Sequence, residues 1–234
     1  MTRADAGVPR LTPRDEQVLE YLEDMRAMWE PDVALLLGQL AGRSAAVSAT
    51  SVRTAIRRWS KLGAVKAEKI YSHEPRVVWL TETGAGLAGV KSWREPGKGV
   101  MRHTAELARV RQWLEFRGLA GQPVTGWVSE RRWRQAHKDA IRAGAHVPDG
   151  IAVTADGAEY AVEVELSSKG PSRTLDTAVR LTQQYRYVVY LVPAGSETAR
   201  TVRTALDTAI RDRRIPEGSG KVEIMELPER GDTR

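Results

Sequence analysis

Residues 146–170 read "HVPDGIAVTADGAEYAVEVELSSKG". Apolar residues that ask for burial surround three carboxylates, Asp149, Glu163 and Glu165. "VPDGIAV" and "EYAVEVEL" read as strands, and Asp156-Gly157 between them is a hairpin turn signal. Side chains two apart on a strand share a face. Glu163 and Glu165 are therefore expected together on one side, with Val162, Val164 and Leu166 turned into a helix-covered core. If the hairpin sets the pairing, Asp149 reaches the carboxylate side, near the edge of a sheet. Carboxylates this close repel unless a cation, a base or a proton neutralises them. Two outcomes are open: a metal site, or a relic in which Lys169, Arg173 or another base stands in for the metal.

Outward from this stretch, "PSRTLDTAVRLTQQYR" reads as a helix and "YVVYLVP" as a buried central strand. "SETARTVRTALDTAIRDRR" follows as an amphipathic helix capped by Ser196, and "KVEIMEL" as a last strand. Upstream, "MRHTAELARVRQWLEFRG" is a helix, "PVTGWVSERRW" a strand, and "RQAHKDAIRAGAH" a short helix or a loop. The order is helix, three strands, helix, strand, helix, strand. This predicts an α/β (α+β) mixed sheet flanked by helices.

The first third has a different plan. Thr12-Pro13 opens a helix, with Asp15 at capping-box spacing. "WEPDVALLLGQLAG" is a second, short helix. In "SATSVRTAIRRWSKLGAV", Val52, Ala55, Ile56, Trp59 and Leu62 form an apolar stripe. Arg53, Thr54, Arg57, Arg58 and Lys61 fall opposite it. Two extended runs, "AVKAEKI" and "RVVWL", then precede "TETGAG". "GVKSWREPGKGV" reads as a linker.

The chain has 234 residues, 41% of them hydrophobic, enough for one large core or two small ones. It has no cysteine, which excludes disulfides and thiolate metal sites. No apolar run is long enough to span a membrane and the N-terminus lacks a signal core, so a cytoplasmic location is expected. The net charge of +6 is uneven: residues 97–145 carry 10 Lys+Arg against 4 Asp+Glu. A basic stretch just before an acidic one suits a polyanionic ligand approaching a metal. The histidines show no ligand spacing and read as surface or local hydrogen-bonding residues.

Three helices followed by a hairpin resemble a winged helix-turn-helix DNA-binding domain, and "WSKLGAVKAEKI…RVVWLTETG" is similar to the end of its recognition helix, its wing and its closing turn. The resemblance implies a third helix in the major groove, with Arg53, Thr54, Arg57, Arg58 and Lys61 as DNA contacts. Protein binding or dimerisation is the other use of such a domain. The second half resembles PD-(D/E)xK nucleases, which share its element order. "PDG" and "VEVEL" match the motif, with Asp149 and Glu163 as the two acids. That resemblance implies Mg²⁺ on Asp149 and Glu163 and metal-assisted hydrolysis. The pattern departs at Glu165, where the motif has Lys; Lys169, four residues on, is the substitute at hand. Glu106 and Glu130 are further candidate acids, and Gln183 with Tyr187 resembles a Q-x-x-x-Y element.

Both halves together resemble the replication-relaxation family of actinobacterial plasmids and mobile elements. The matching pieces are His103 with Leu107, Trp127 to Glu130, Pro148-Asp149-Gly150, and Glu163 to Glu165, within about residues 12–192. The expected division is a winged helix at 10–89, a linker at 90–99 and a nuclease-like domain at 100–228. The resemblance implies a DNA-binding accessory protein of replication or transfer, its nuclease-like domain weakly active or inactive. The alternative is a Mg²⁺-dependent endonuclease guided by its winged helix, with Asp149, Glu163, Glu165 and Lys169 as catalytic residues. Expected partners are double-stranded DNA, other replication or transfer proteins, and a second copy of the chain.

Overall fold

Each half builds its own core. The computed structural model describes residues 10–91, 93–215 and 221–229, in two compact units that divide between Arg109 and Val110.

In the first unit, helix α1 (Pro13–Met25) begins at a capping box. Thr12 caps the Asp15 backbone N–H, and the Asp15 carboxylate returns to the Thr12 N–H at 2.7 Å. Strand β1 (Ala27–Trp29) leads into helix α2 (Glu30–Gln39), and helix α3 (Ala49–Lys61) starts at the Ser48 cap. Val52, Ala55, Ile56 and Trp59 of α3 are buried, the stripe its sequence predicts. Strands β2 (Val65–Glu68) and β3 (Val77–Leu80) form the expected hairpin. β1, absent from the sequence expectations, pairs antiparallel with β3, so the sheet order is β1-β3-β2. Helix α4 (Glu82–Leu87) is capped by Thr81.

Arg58 corrects a sequence expectation. It was placed on the exposed face of α3, yet its Nη2 lies 2.5 and 2.7 Å from the two oxygens of Asp15, which is 1% exposed. Burial works against the Asp15 charge. The Thr12 hydrogen bonds and Arg58 outweigh it and hold the carboxyl below its ordinary value. Arg58 therefore ties α3 to the first turn of α1.

The expected linker is also bound down. Trp93 Nε1 donates to the Leu80 carbonyl at 3.1 Å, and Glu95 accepts from Lys66 Nζ and Trp79 Nε1. Tyr71 donates to the carbonyl of Lys98, where helix α5 (Lys98–Arg117) begins. The first half of α5 belongs to this unit, so the compact units divide inside a helix and not at 90–99.

In the second unit, β4 (Val124–Ser129) is shorter than predicted, because Ser129 caps the Arg132 N–H and turns the chain into α6 (Glu130–Ala136). Helix α7 (Lys138–Arg142) follows, then β5 (Gly150–Thr154) and β6 (Glu159–Val164). Helix α8 (Pro171–Gln184), β7 (Tyr187–Val192), α9 (Glu197–Arg211) and β8 (Lys221–Glu226) complete it. The sheet order is β4-β5-β6-β7-β8, antiparallel through the first three strands and parallel through the last three. The fold is α+β, as the sequence predicts. No helix among the described residues is long and apolar enough to cross a membrane.

α8 and α9 share one apolar cluster with Ala161, Val188, Tyr190 and Val192 and so cover that face of the sheet. Gly150, the glycine of "PDG", lies under Trp127: a Cβ there would meet the indole ring at 2.2 Å. Glycine is thus required where the chain passes from Asp149 into β5.

Arg58→Ala should destabilise the first unit by about 2–3 kcal/mol, below the 3–5 kcal/mol typical of a fully buried pair because the guanidinium is partly solvated. Denaturant unfolding measures this. A change within 0.5 kcal/mol, about the scatter of ordinary surface substitutions, would contradict the structural role of the pair.

Candidate functional site

The acid site is built from the ladder upward. Gly150 pairs with Val162, and one further step of that register puts Asp149 opposite Glu163. Asp149 Oδ2 accepts the Val164 N–H at 2.8 Å, which pins the carboxylate to β6. Across the other ladder Glu163 pairs with Tyr190. Asp149, Glu163 and Tyr190 thus form one row across three adjacent strands, because register partners share a face. Glu165 lies on the same face, two residues beyond Glu163.

Two expectations about this face need correction. β6 is the middle strand of five, so the carboxylates sit at its carboxyl end and not at the sheet edge. Glu163 also shares its face with Ala161, Val188 and Val192, the face that α8 and α9 cover. The acids lie on the helix-covered side; Val162 and Val164 point the other way and are buried as well.

Glu163 and Glu165 are only 4% and 5% exposed. Burial first, then the charge of Asp149, pushes the Glu163 carboxyl well above its ordinary value; Lys169 opposes this and Glu165 adds to it. Lys169 Nζ lies 2.9 Å from Glu165 Oε2. Burial would lower the Lys169 pKa, but Glu165, Asp149 and Glu163 outweigh it and raise it. The chain therefore brings an ammonium to the acids from the β6–α8 loop, four residues after the motif position. Arg173 is exposed in the first turn of α8.

His146 is a site residue that the sequence reading missed. Its Nε2 lies 3.2 Å from Glu163 Oε1, and burial lowers its pKa against the pull of Asp149. With its amide oriented to match, Gln184 both donates to the His146 carbonyl and accepts from the His146 N–H at 3.0 Å. Arg180 Nη1 approaches the Gly144 carbonyl at 3.4 Å. The last turns of α8 thus hold the backbone that leads to Asp149. Only proximity in the chain, three residues from Asp149, could have signalled His146.

The other candidate acids lie elsewhere. Glu130 pairs with Arg134 on the surface at 2.7 Å. Glu106 belongs to the first unit, where it accepts from Trp29 Nε1 and pairs with Arg109. Gln183 is exposed and Tyr187 stacks on Tyr160 on the sheet face opposite the acids, so the structure does not bring that pair to the site.

The second candidate surface is α3. Arg53, Thr54, Arg57 and Lys61 are exposed on it, while Arg58 is engaged as described. Arg53, Arg57, Ser60 and Arg76 line a basin beside β2. Arg76 is committed to Glu30, at 2.7 and 3.1 Å, and Arg53 stands 3.7 Å from the same carboxylate.

Comparisons with protein-family models, with curated proteins and with solved structures give no match.

In metal-free buffer the ionised Glu163 opposes folding. Its raised folded pKa means that the folded state holds the proton more tightly, so this contribution to stability is lost as pH rises from the ordinary carboxyl value through the folded pKa. Glu163→Gln should remove that slope and stabilise the protein near neutral pH by about 1–3 kcal/mol, the cost of an incompletely compensated buried group. His146, with its lowered pKa, contributes in the opposite sense and touches Glu163, so the two curves are compared in a His146→Asn background, where their difference reports Glu163. Parallel curves would contradict the assignment.

Proposed function

We propose that this protein is a DNA-binding accessory protein of plasmid or mobile-element replication or transfer, with a winged helix as its first unit and a PD-(D/E)xK nuclease-like second unit. The observation that carries this reading is the row formed by Asp149, just before β5, and Glu163, near the carboxyl end of β6, which runs antiparallel to β5, with Lys169 drawn in beside Glu165. Its support in the first unit is the order of three helices and a β1-β3-β2 sheet, with an exposed Arg53, Thr54, Arg57 and Lys61 face on α3. The replication-relaxation resemblance joins the two. DNA is the partner, and the cytoplasm the place of action.

The donors suit Mg²⁺. Buried, crowded carboxylate oxygens need a compensating charge and are hard ligands. Among the described residues no group of three or more His, Asp or Glu could hold a metal. A cation here would therefore have two protein carboxylates at most, with water and a substrate phosphate completing its shell. Asp149 and Glu163 would hold it. When bound, Mg²⁺ would polarise the phosphoryl group and acidify a bound water. Val164 orients Asp149 by its N–H, Lys169 balances the charge of Glu165, and the layer of α8 and α9 limits access of water to Glu163.

A second reading is favoured by one observation, the 2.9 Å contact of Lys169 with Glu165. It supplies a lysine in space where the motif lacks one in sequence. On this reading the protein is a Mg²⁺-dependent endonuclease, with Lys169 steadying the charge that develops on the phosphate.

Supercoiled plasmid incubated with Mg²⁺ or Mn²⁺ separates the two. Slow or absent nicking fits the accessory protein; nicking lost in both Asp149→Ala and Lys169→Ala fits the endonuclease. For duplex binding, Arg53→Ala with Arg57→Ala should weaken affinity and reduce the log–log salt slope by about 2, one phosphate contact each. Unchanged binding at two salt concentrations would rule out α3 as the DNA-reading helix.

A further inference from the structure

Tyr190 sits in the middle of β7, 1% exposed, packed in the apolar cluster with Leu175, Leu181 and Val202. Phenylalanine would fill that place equally well, yet the residue carries a hydroxyl. That Oη is buried and has no hydrogen-bond partner among the described residues. A buried phenol left so is costly, and it usually finds a partner. The location supplies a reason. Tyr190 is the register partner of Glu163, and its side chain leaves the sheet on the face that Asp149 and Glu163 share. Burial first, then the charges of Glu163, Glu165 and Asp149, push the phenol far above its ordinary range, so it is a proton donor at any physiological pH.

We propose that Tyr190 is a positioning residue of the acid site, its hydroxyl donating a hydrogen bond to a water carried by a divalent cation on Asp149 and Glu163. The inference rests on the two-carboxylate reading above and extends it by a residue outside the motif. Mg²⁺ dehydrates reluctantly and keeps several waters, so a site with two carboxylates needs donors or acceptors around it to orient them. Losing an outer group of this kind typically costs about 10–100-fold in metal affinity. In an apolar wall, a single hydroxyl is the one group of Tyr190 that can do this.

The test is Mn²⁺ binding to the full chain, read as free Mn²⁺ by electron paramagnetic resonance and as the metal-induced rise in melting temperature. Wild type, Tyr190→Phe, Tyr160→Phe and Asp149→Ala are compared. Tyr160 lies on the opposite face of the same sheet and controls for loss of any buried phenol. Without metal, Tyr190→Phe should melt at or above the wild-type temperature, since it removes an unsatisfied hydroxyl and keeps the ring. With Mn²⁺ it should bind about 10-fold more weakly, while Tyr160→Phe binds as wild type does. Wild-type affinity in Tyr190→Phe, alongside binding that Asp149→Ala abolishes, would overturn this inference and leave the two-carboxylate reading standing. Absence of Asp149-dependent binding in the wild type would overturn both.

Discussion

The Asp149 carboxylate accepts the Val164 N–H, and the acid site depends on that bond. It closes the β5–β6 ladder one residue beyond its last backbone pair and commits Asp149 to the side of the sheet that Glu163 occupies. The consequence is electrostatic. Two carboxylates face each other beside a third, in a layer that α8 and α9 keep from solvent. A packed sheet tolerates this only with compensation, and the chain provides the Lys169 charge at Glu165 and a hydrogen-bonding contact from the His146 ring at Glu163. Gly150 belongs to the same constraint, because only a residue without a side chain passes beneath Trp127 at that turn.

The first unit solves the opposite problem, how to leave positive charge outside. Of the five polar residues expected on the far side of α3, Arg58 is spent on Asp15 and serves the joint between α1 and α3. Arg76 is spent on Glu30. What is left exposed is narrower than the sequence suggests: Arg53, Thr54, Arg57 and Lys61. A DNA-reading role for α3 therefore rests on fewer side chains, and the salt dependence of binding is its natural measure.

Much of the second unit was legible in the sequence. The hairpin at Asp156-Gly157 sets the register that brings Asp149 to Glu163, and strand alternation alone puts Glu165 beside them. The continuous apolar run of β7 announced a buried strand. What stayed hidden depends on long-range packing. β1 is three residues long and exists only through β3. "WVSERRW" reads as extended until Ser129 caps a helix within it. Arg58 looked like its neighbours because Asp15 is 43 residues away in sequence. His146 carries no ligand spacing, and Tyr190 reads as one more core aromatic in "YVVYLV". Periodicity could not say that α8 and α9 would pack on the face the acids share.

The central claim is that Asp149 and Glu163 together bind a divalent cation. Anomalous diffraction from crystals soaked in Mn²⁺ tests it most directly. The account predicts a peak that Asp149 and Glu163 would hold, at about the 2.0–2.1 Å oxygen distance of a small hard cation, with Lys169 still at Glu165. A Mn²⁺-soaked crystal with no peak there, and with Lys169 and His146 alone as the acids' neighbours, would contradict it.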